Sequence, residues 1–353
     1  MDTRQREFLE ELLETPSPSG YETAGQRVWV EHVSTFADEV HTDEYGNAVA
    51  VHQGSGDGPE VAIAGHADEI GFIVRTIDDD GFVHIDAIGG SDRTVSKGQH
   101  VTIHGDDGPV KGVIGQTAIH LREGDDEYED ISEQRVDVGA TDEDEARDLV
   151  SVGDPITFSS TVEDLQGTRL AARGMDNRVG TWTAAETLHR AVERDVDATV
   201  YAVSTVQEEL GLRGARMIGF ELDPDAVVAV DVTHAVDYPG APGDAGGEVE
   251  LGGGPVVGRG SANHPVLVEL ARESANVADV ELQLQAAGRR TGTDADAFYT
   301  ARSGVPSLNV GIPNRYMHTP VEVVDTEDLE AVTELLAEVA DGAGDYESFS
   351  VEV

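Results

Sequence analysis

Five short stretches of this chain carry residues able to hold metal ions. They are His66 in GHADEIG, Asp176 in RGMDNRVG, Glu208 and Glu209 in TVQEELGLRGA, Asp231 in VAVDVTHA, and His318 in RYMHTP. Imidazole and carboxylate are ordinary ligands of divalent cations. Two histidines and several carboxylates make the donor set for two such ions with a hydroxide between them, an arrangement that hydrolyses amide bonds. Each residue ends an apolar, strand-like run or sits in a Gly-rich turn beside one. An open α/β sheet gathers its site residues in such places, at the carboxyl ends of its strands.

Taken singly, each residue has an ordinary reading: a structural histidine, a helix cap, a turn aspartate, a surface histidine. The set is what points to chemistry. His66-Ala67-Asp68 is extended, and alternate residues on extended backbone share a side. Asp68 is therefore expected to reach the His66 ring and fix its tautomer, as a carboxylate behind a metal-bound histidine does. Asp176 reads either as a helix cap or as a carboxylate placing one oxygen on each of two ions. Glu208 and Glu209 follow the apolar run 200–206. Paired acids at the end of a buried strand are costly unless cations neutralise them. Their side chains diverge, so Glu209 is read as a ligand and Glu208 as the general base. Asp231 is expected to close the strand 226–231 and face the same site. Four other histidines of the β segments and one of a strand end (His52, His84, His104, His120 and His234) are read as structural, as subunit contacts or as solvated; the first three are expected to be solvated.

The elements that must position these groups follow from periodicity. Residues 1–20 read as an amphipathic helix with Phe8, Leu9, Leu12 and Leu13 on one face, stopped at Pro16 and Pro18. A second helix covers 21–37, and 39–51 read as a hairpin around Tyr45-Gly46-Asn47. Residues 61–66 form a strand. From 69 to 165 the texture changes to short alternating segments (71–77, 82–88, 100–104, 110–115, 154–159) broken by Gly and Asp, with a short helix at 143–150. That composition predicts a small β-barrel-like, PDZ-like domain. Beyond 166 the α/β rhythm returns. Helices are expected from 176 to 192, 265–276, 294–302 and 326–340, the last capped by Thr326. Strands are expected at 198–204, 226–231, 281–286 and 307–311. The fold class is α/β: a mixed-sheet, three-layer domain in two segments, 1–68 and 166–353, interrupted by a β domain at 69–165.

The chain has 353 residues, 70 acidic and 23 basic, for a formal charge of -47, and only two lysines, Lys97 and Lys111. Acid runs such as 123–127 and 141–145 recur along a chain that is 39% hydrophobic. An acid excess spread that widely describes an acidic shell on a folded protein. Self-repulsion at that charge destabilises a compact fold in dilute salt. Concentrated salt screens it, with a Debye length of roughly 3 Å at 1 M. The expectation is a halophile's cytoplasmic protein, with nucleic acid and anionic membrane excluded as partners. No cysteine is present, so disulfides and thiolate metal sites are excluded. No stretch reaches the ~20 apolar residues of a membrane span, and the first residues lack an apolar signal core.

In combination, GHADEIGFIV, ARGMDNRVG, VQEELGLRGA, AVDVTHA, the loop Thr291-Gly292-Thr293-Asp294-Ala295 and GIPNRYMHTPVEVV resemble the tetrahedral aminopeptidases. These are dinuclear metallopeptidases of clan MH related to glutamyl and deblocking aminopeptidases, some of whose relatives are labelled endoglucanases. The resemblance covers nearly the whole chain. It implies that His66 and Asp231 coordinate one ion, Glu209 and His318 the other, with Asp176 bridging; the imidazole and carboxylate donors themselves suit zinc, cobalt or manganese. It implies an inserted β dimerisation domain; His66 and Asp176 lie 110 positions apart, which leaves room for one. It also implies dimers assembled into a tetrahedral dodecamer, acting on N-terminal residues of short peptides. The loop 292–294 is expected to shape the pocket for the first side chain. Three other readings compete, one of them a non-enzymatic scaffold, which would predict damage in the Glu208-Glu209 pair, here intact. A dinuclear carboxypeptidase or amidohydrolase carries its insertion late, but Asp231 and His318 are only 87 positions apart. An endoglucanase needs paired carboxylates and aromatic sugar platforms, and the only tryptophans, Trp29 and Trp182, fall on expected helices.

Overall fold

The structure is a computed structural model and describes residues 1–56, 58–122, 128–242 and 249–352. The acidic run 123–127 lies outside these residues. The chain opens with helices α1 (Thr3–Glu14) and α2 (Thr23–Val33), the hairpin β1 (Glu39–Thr42) and β2 (Ala48–His52), and β3 (Glu60–His66). Next come β4 (Gly71–Ile77), β5 (Val83–Ile88), β6 (His100–Gly105), β7 (Gly108–Ile114), β8 (Arg135–Asp137), the short helix α3 (Glu143–Arg147) and β9 (Pro155–Phe158). β10 (Glu163–Asp164) and β11 (Arg169–Ala172) lead into the long helix α4 (Met175–Arg194). β12 (Thr199–Thr205), α5 (Arg213–Glu221), β13 (Ala226–His234), β14 (Val256–Arg259), α6 (Pro265–Val277) and β15 (Gln283–Ala286) follow. The last elements are α7 (Ala295–Phe298), β16 (Ser307–Asn314), β17 (Glu322–Asp325) and α8 (Thr326–Gly342).

Eight strands form one mixed sheet in the order β1-β2-β12-β3-β13-β16-β14-β15. Its centre is parallel: β12 runs with β3, β3 with β13 and β13 with β16. Parallel strands covered on both faces read as unbroken apolar runs, and β3 shows why. Val61 and Ile63 point into a core shared with α1, α2, α4, α6 and α8, while Ala62 and Ala64 point into a second core with α5 and α7. The molecule is therefore three-layered around this sheet, as expected. Gly65 lets the layers meet: a Cβ there would stand 2.4 Å from the Gly180 backbone of α4.

Strands β4 to β9 close into a barrel, in the order β4-β5-β8-β7-β6-β9, around Phe72, Val74, Ile85, Val101, Ile103, Val136 and Ile156. Every pairing in it is antiparallel. The β-barrel expectation holds. Several finer expectations do not. Asp325, not Thr326, caps α8, its side chain accepting from the Glu327 N–H. β13 continues past Asp231 to His234, because β16 pairs with it residue by residue through Asn314. His52 is buried, since β2 lies inside the sheet between β1 and β12. His84 and His104 are half-buried, bonded to Asp78 and Thr157. No helix of the described residues is long and apolar enough to cross a membrane.

α1 buries Phe8, Leu9, Leu12 and Leu13 and starts with a capping box between Asp2 and Gln5. Each buried apolar side chain contributes about 2 kcal/mol. One carboxylate sits within this helical layer. Glu186 of α4 accepts from both Arg4 nitrogens at 2.8 and 2.6 Å, from Gln5 at 3.1 Å, and lies 3.1 Å from the His32 ring. Burial pushes its carboxyl up, but the bonds from His32 and Arg4 outweigh that and hold it at about 2, below the ordinary 4.5. A carboxylate depressed on folding stabilises the fold above its unfolded pKa and loses that contribution as pH falls through its folded one. On the order of 3 kcal/mol should therefore disappear between pH 4.5 and 2. Thermal melts of the metal-free protein should fall across that window, and Glu186→Gln should flatten the fall. Parallel profiles would show that Glu186 carries no such linkage.

Candidate active site

Six acidic and imidazole side chains from five separate segments meet at the carboxyl ends of the central strands. His66 is the last residue of β3 and is 2% exposed. Its Nδ1 lies 3.1 Å from the main-chain oxygen of Asp68 and 3.4 Å from the Asp68 carboxylate. A ring nitrogen facing a carbonyl carries the proton, which leaves Nε2 to face the other groups. Asp68 thus reaches the ring as expected, but mainly through its carbonyl. Its carboxylate does something the sequence did not suggest. It accepts the N–H of Glu208 at 2.9 Å, the N–H of Glu209 at 3.1 Å and the Ser19 hydroxyl at 2.7 Å. Burial alone would raise its pKa; His66 and these donors lower it. Asp68 therefore fixes the turn that carries both glutamates.

Asp176 enters from the start of α4; the left-handed Gly174 stands at the cap position, so Asp176 is not the helix cap. The Asp176–Asn177 peptide is cis. The Asn177 side chain ties this turn to the sheet, donating to the Val230 carbonyl at 2.8 Å. Asp176 Oδ1 lies 3.1 Å from His66 Nε2, and its Oδ2 lies 3.3 Å from His318 Nε2. One carboxylate thus faces both histidines, one oxygen to each. Asp231 Oδ1 is 3.7 Å from His66 Nε2, and Glu209 Oε1 is 3.4 Å from His318 Nε2. Glu208 Oε2 stands further off, 3.9 Å from His66 Nε2. His318 sits in a loop with φ 62. Its Nδ1 is 3.2 Å from the Gly90 carbonyl. A Cβ at Gly90 would be 2.7 Å from that ring, so a side chain there would displace it.

Two groups result, His66–Asp176–Asp231 and Asp176–Glu209–His318, and the donor atoms within each lie within 4.8 Å of one another. Burial is the first cause that pushes Glu208 up to about 10 and Asp294 to about 7, with Asp231 a further cause for both. Burial and Asp176 also raise Glu209 and Asp231. Carboxylates this crowded must be protonated or neutralised by cations. Two nitrogen-and-oxygen donor triads sharing one carboxylate suit two divalent ions, whose binding would displace those protons.

Sequence reasoning missed two buried carboxylates here, Glu322 and Glu69. Glu322 is 2% exposed and bonds the main chain of both Asp176 and His318. The VEVV run gives no pattern that separates it from a polar position on a half-exposed strand. Asp294, in the loop 292–294, turns inward and accepts from the Thr205 hydroxyl at 2.5 Å. A buried triad also underlies the site: Glu69 pairs with Arg173 and with Arg178, the latter at 2.9 Å, joining the His66 segment to the Asp176 segment.

With this geometry in view, the chain belongs to the M42 glutamyl aminopeptidase family, whose model matches residues 46–335 and so spans every residue named above from His66 to Glu322. It is a metal-dependent aminopeptidase, a hydrolase of the peptidase class. Lysyl aminopeptidase of Pyrococcus furiosus is 36% identical over 335 residues, covering 93% of this chain and 94% of that one. The fold matches the TET aminopeptidase from the marine sediment archaeon Thaumarchaeota archaeon SCGC AB-539-E09, with TM-score 0.90, 32% identity and coverage of 96% and 97%. It also matches the Pyrococcus horikoshii TET1 peptidase, described as assembling into a tetrahedron or a large octahedral shell, with TM-score 0.85, 29% identity and coverage of 95% and 99%.

Proposed function

We propose that the chain removes N-terminal residues from short peptides using two divalent ions, one held by His66, Asp176 and Asp231 and the other by Asp176, Glu209 and His318. The observation that carries this reading is the Asp176 carboxylate, which presents a separate oxygen to each histidine. The donors are nitrogen and oxygen, a set that suits zinc, cobalt or manganese. When bound, the ions supply a Lewis acid for the scissile carbonyl and an acidified water. Glu208 takes the proton of that water on its carboxylate and returns it to the leaving amine. Asp68 keeps Glu208 in place by holding its N–H. The surplus carboxylate of the site favours a substrate's free α-ammonium, and the loop 292–294 shapes the pocket for its first side chain.

The domain reading is part of the proposal: residues 1–68 and 166–353 form the catalytic unit, and 69–165 the inserted dimerisation domain. Dimers of this chain would build a tetrahedral dodecamer, as the P. horikoshii relative's assembly suggests. The charge of -47 supports a halophile's cytoplasm as its setting. Dilution from about 3 M to 0.1 M salt lengthens the Debye length from a few ångströms to about 10 Å. The assembly should then dissociate or the subunit unfold, read by light scattering and circular dichroism. An unchanged oligomer in dilute buffer would contradict the halophilic part.

Activity is tested with aminoacyl p-nitroanilides and short peptides in concentrated salt, each with a free and an acetylated N-terminus. Release from free amino ends only, abolished by chelator and restored by Zn²⁺ or Co²⁺, is the expected result. Cleavage from the carboxyl end, or of cellulose oligomers without peptide activity, would overturn the proposal.

A further inference from the structure

Glu322 is the first residue of β17, four positions after His318. The β11–β17 ladder sets it opposite Ala172, which ends the strand leading to Asp176. This places one buried carboxylate between two segments that are far apart in sequence. Its Oε2 accepts the Asp176 N–H at 2.9 Å, and its Oε1 accepts the His318 N–H at 2.8 Å. Both oxygens are thus committed to main-chain donors, one from each segment. The His318 segment needs such an anchor. His318 has φ 62 and Tyr316 φ 63, a backbone region that L-residues occupy only when their surroundings hold them there. The ring of His318 is itself a third exposed, with the Gly90 carbonyl and the Asp176 and Glu209 carboxylates as polar neighbours. His66 and Asp231 are held differently: His66 by Asp68, and Asp231 by the Val232 N–H.

We infer that Glu322 is a positioning residue that sets the affinity for the second ion, the one assigned to Asp176, Glu209 and His318. The inference rests on the two-ion reading above. Glu322 locks the spacing between His318 and Asp176 by holding the two backbones with one rigid planar group. The second triad contains both of the residues it holds. The first contains only Asp176 and keeps two members, His66 and Asp231, that are anchored elsewhere. Losing Glu322 should therefore weaken the two ions unequally.

Glu322→Gln is nearly isosteric but can accept with one oxygen only, and its amide nitrogen would face a main-chain N–H. The test is titration of the metal-free full-length assembly, wild type and Glu322→Gln, with Co²⁺ in concentrated salt. Calorimetry follows stoichiometry and affinity, and the visible spectrum of cobalt follows each site. Second-ion affinity should fall 10- to 100-fold, the usual loss when a group behind a metal ligand is removed. First-ion affinity should fall by clearly less than that, because His66 and Asp231 are held elsewhere. Excess Co²⁺ should restore turnover toward wild type, which a general loss of structure would not allow. If wild type itself binds fewer than two ions, the two-ion reading fails. If wild type binds two and the variant binds both as tightly, or loses both equally, the inference fails. Should Glu322→Gln not fold, amide hydrogen exchange on metal-free wild type decides. The Asp176 and His318 amides should be protected without any ion, and exchange as fast as in an open loop would overturn the role.

Discussion

Glu208→Gln keeps two ions per chain and loses at least about 10²-fold in turnover, the scale of a missing general base. The Glu208 carboxylate is 3.9 Å from His66 Nε2 and belongs to neither ligand triad, whereas Glu209 stands 3.4 Å from His318. Glutamine preserves the shape, and the Glu208 N–H bond to Asp68 is a main-chain bond that the substitution leaves intact. What is removed is the carboxylate's capacity to take a proton. Substrate binding should change little, so kcat falls and KM does not. Metal content by mass spectrometry and steady-state kinetics read the two quantities separately. Near-normal turnover would remove Glu208 from the role of base. Loss of metal together with activity would make it a ligand instead.

Asp176→Asn loses metal and activity together. Each Asp176 oxygen faces one histidine, at 3.1 and 3.3 Å. Asparagine replaces one oxygen with an amide nitrogen, which cannot coordinate and would point its hydrogens at one triad. It also removes the negative charge common to both. The loss of affinity should exceed the 10- to 100-fold typical of a residue behind a ligand, and no more than one ion should remain at micromolar metal. Turnover should not recover with excess metal, in contrast to Glu322→Gln. Full retention of both ions would show that Asp176 does not bridge.

Where the sequence was legible, one local pattern carried the information. His66 stands out because β3 is buried on both faces, so its apolar run is continuous and ends on a polar residue. Glu208 and Glu209 stand out because two acids follow such a run with only Gln207 between. The barrel was legible from alternation and turn residues, which are local signals too. Where reading failed, the deciding contact was distant. Glu322 is joined to Asp176 across 146 positions by a main-chain bond that no side-chain pattern announces. Asp231 looked like a strand end because it interrupts the apolar run 226–230, yet pairing with β16 carries the strand on to His234. No helix is expected over 213–221, where α5 forms. It contains Gly214 and Gly219, which lower helix propensity by up to about 1 kcal/mol each. Packing requires the first of them, since a Cβ on Gly214 would come within 2.4 Å of the Val206 carbonyl. No strand is expected over β14, which lies in a glycine-rich stretch and is recruited by its neighbours β15 and β16. His52 was expected to be solvated because a hairpin strand looks peripheral, but β12 pairs along its other edge.

The central claim is that two ions share Asp176. Anomalous diffraction from crystals of the zinc-loaded assembly, recorded on both sides of the zinc edge, tests it most directly. The account predicts two peaks per chain, one among His66, Asp176 and Asp231 and one among Asp176, Glu209 and His318, with a separate Asp176 oxygen on each. A single peak, or two peaks of which only one touches Asp176, would contradict it.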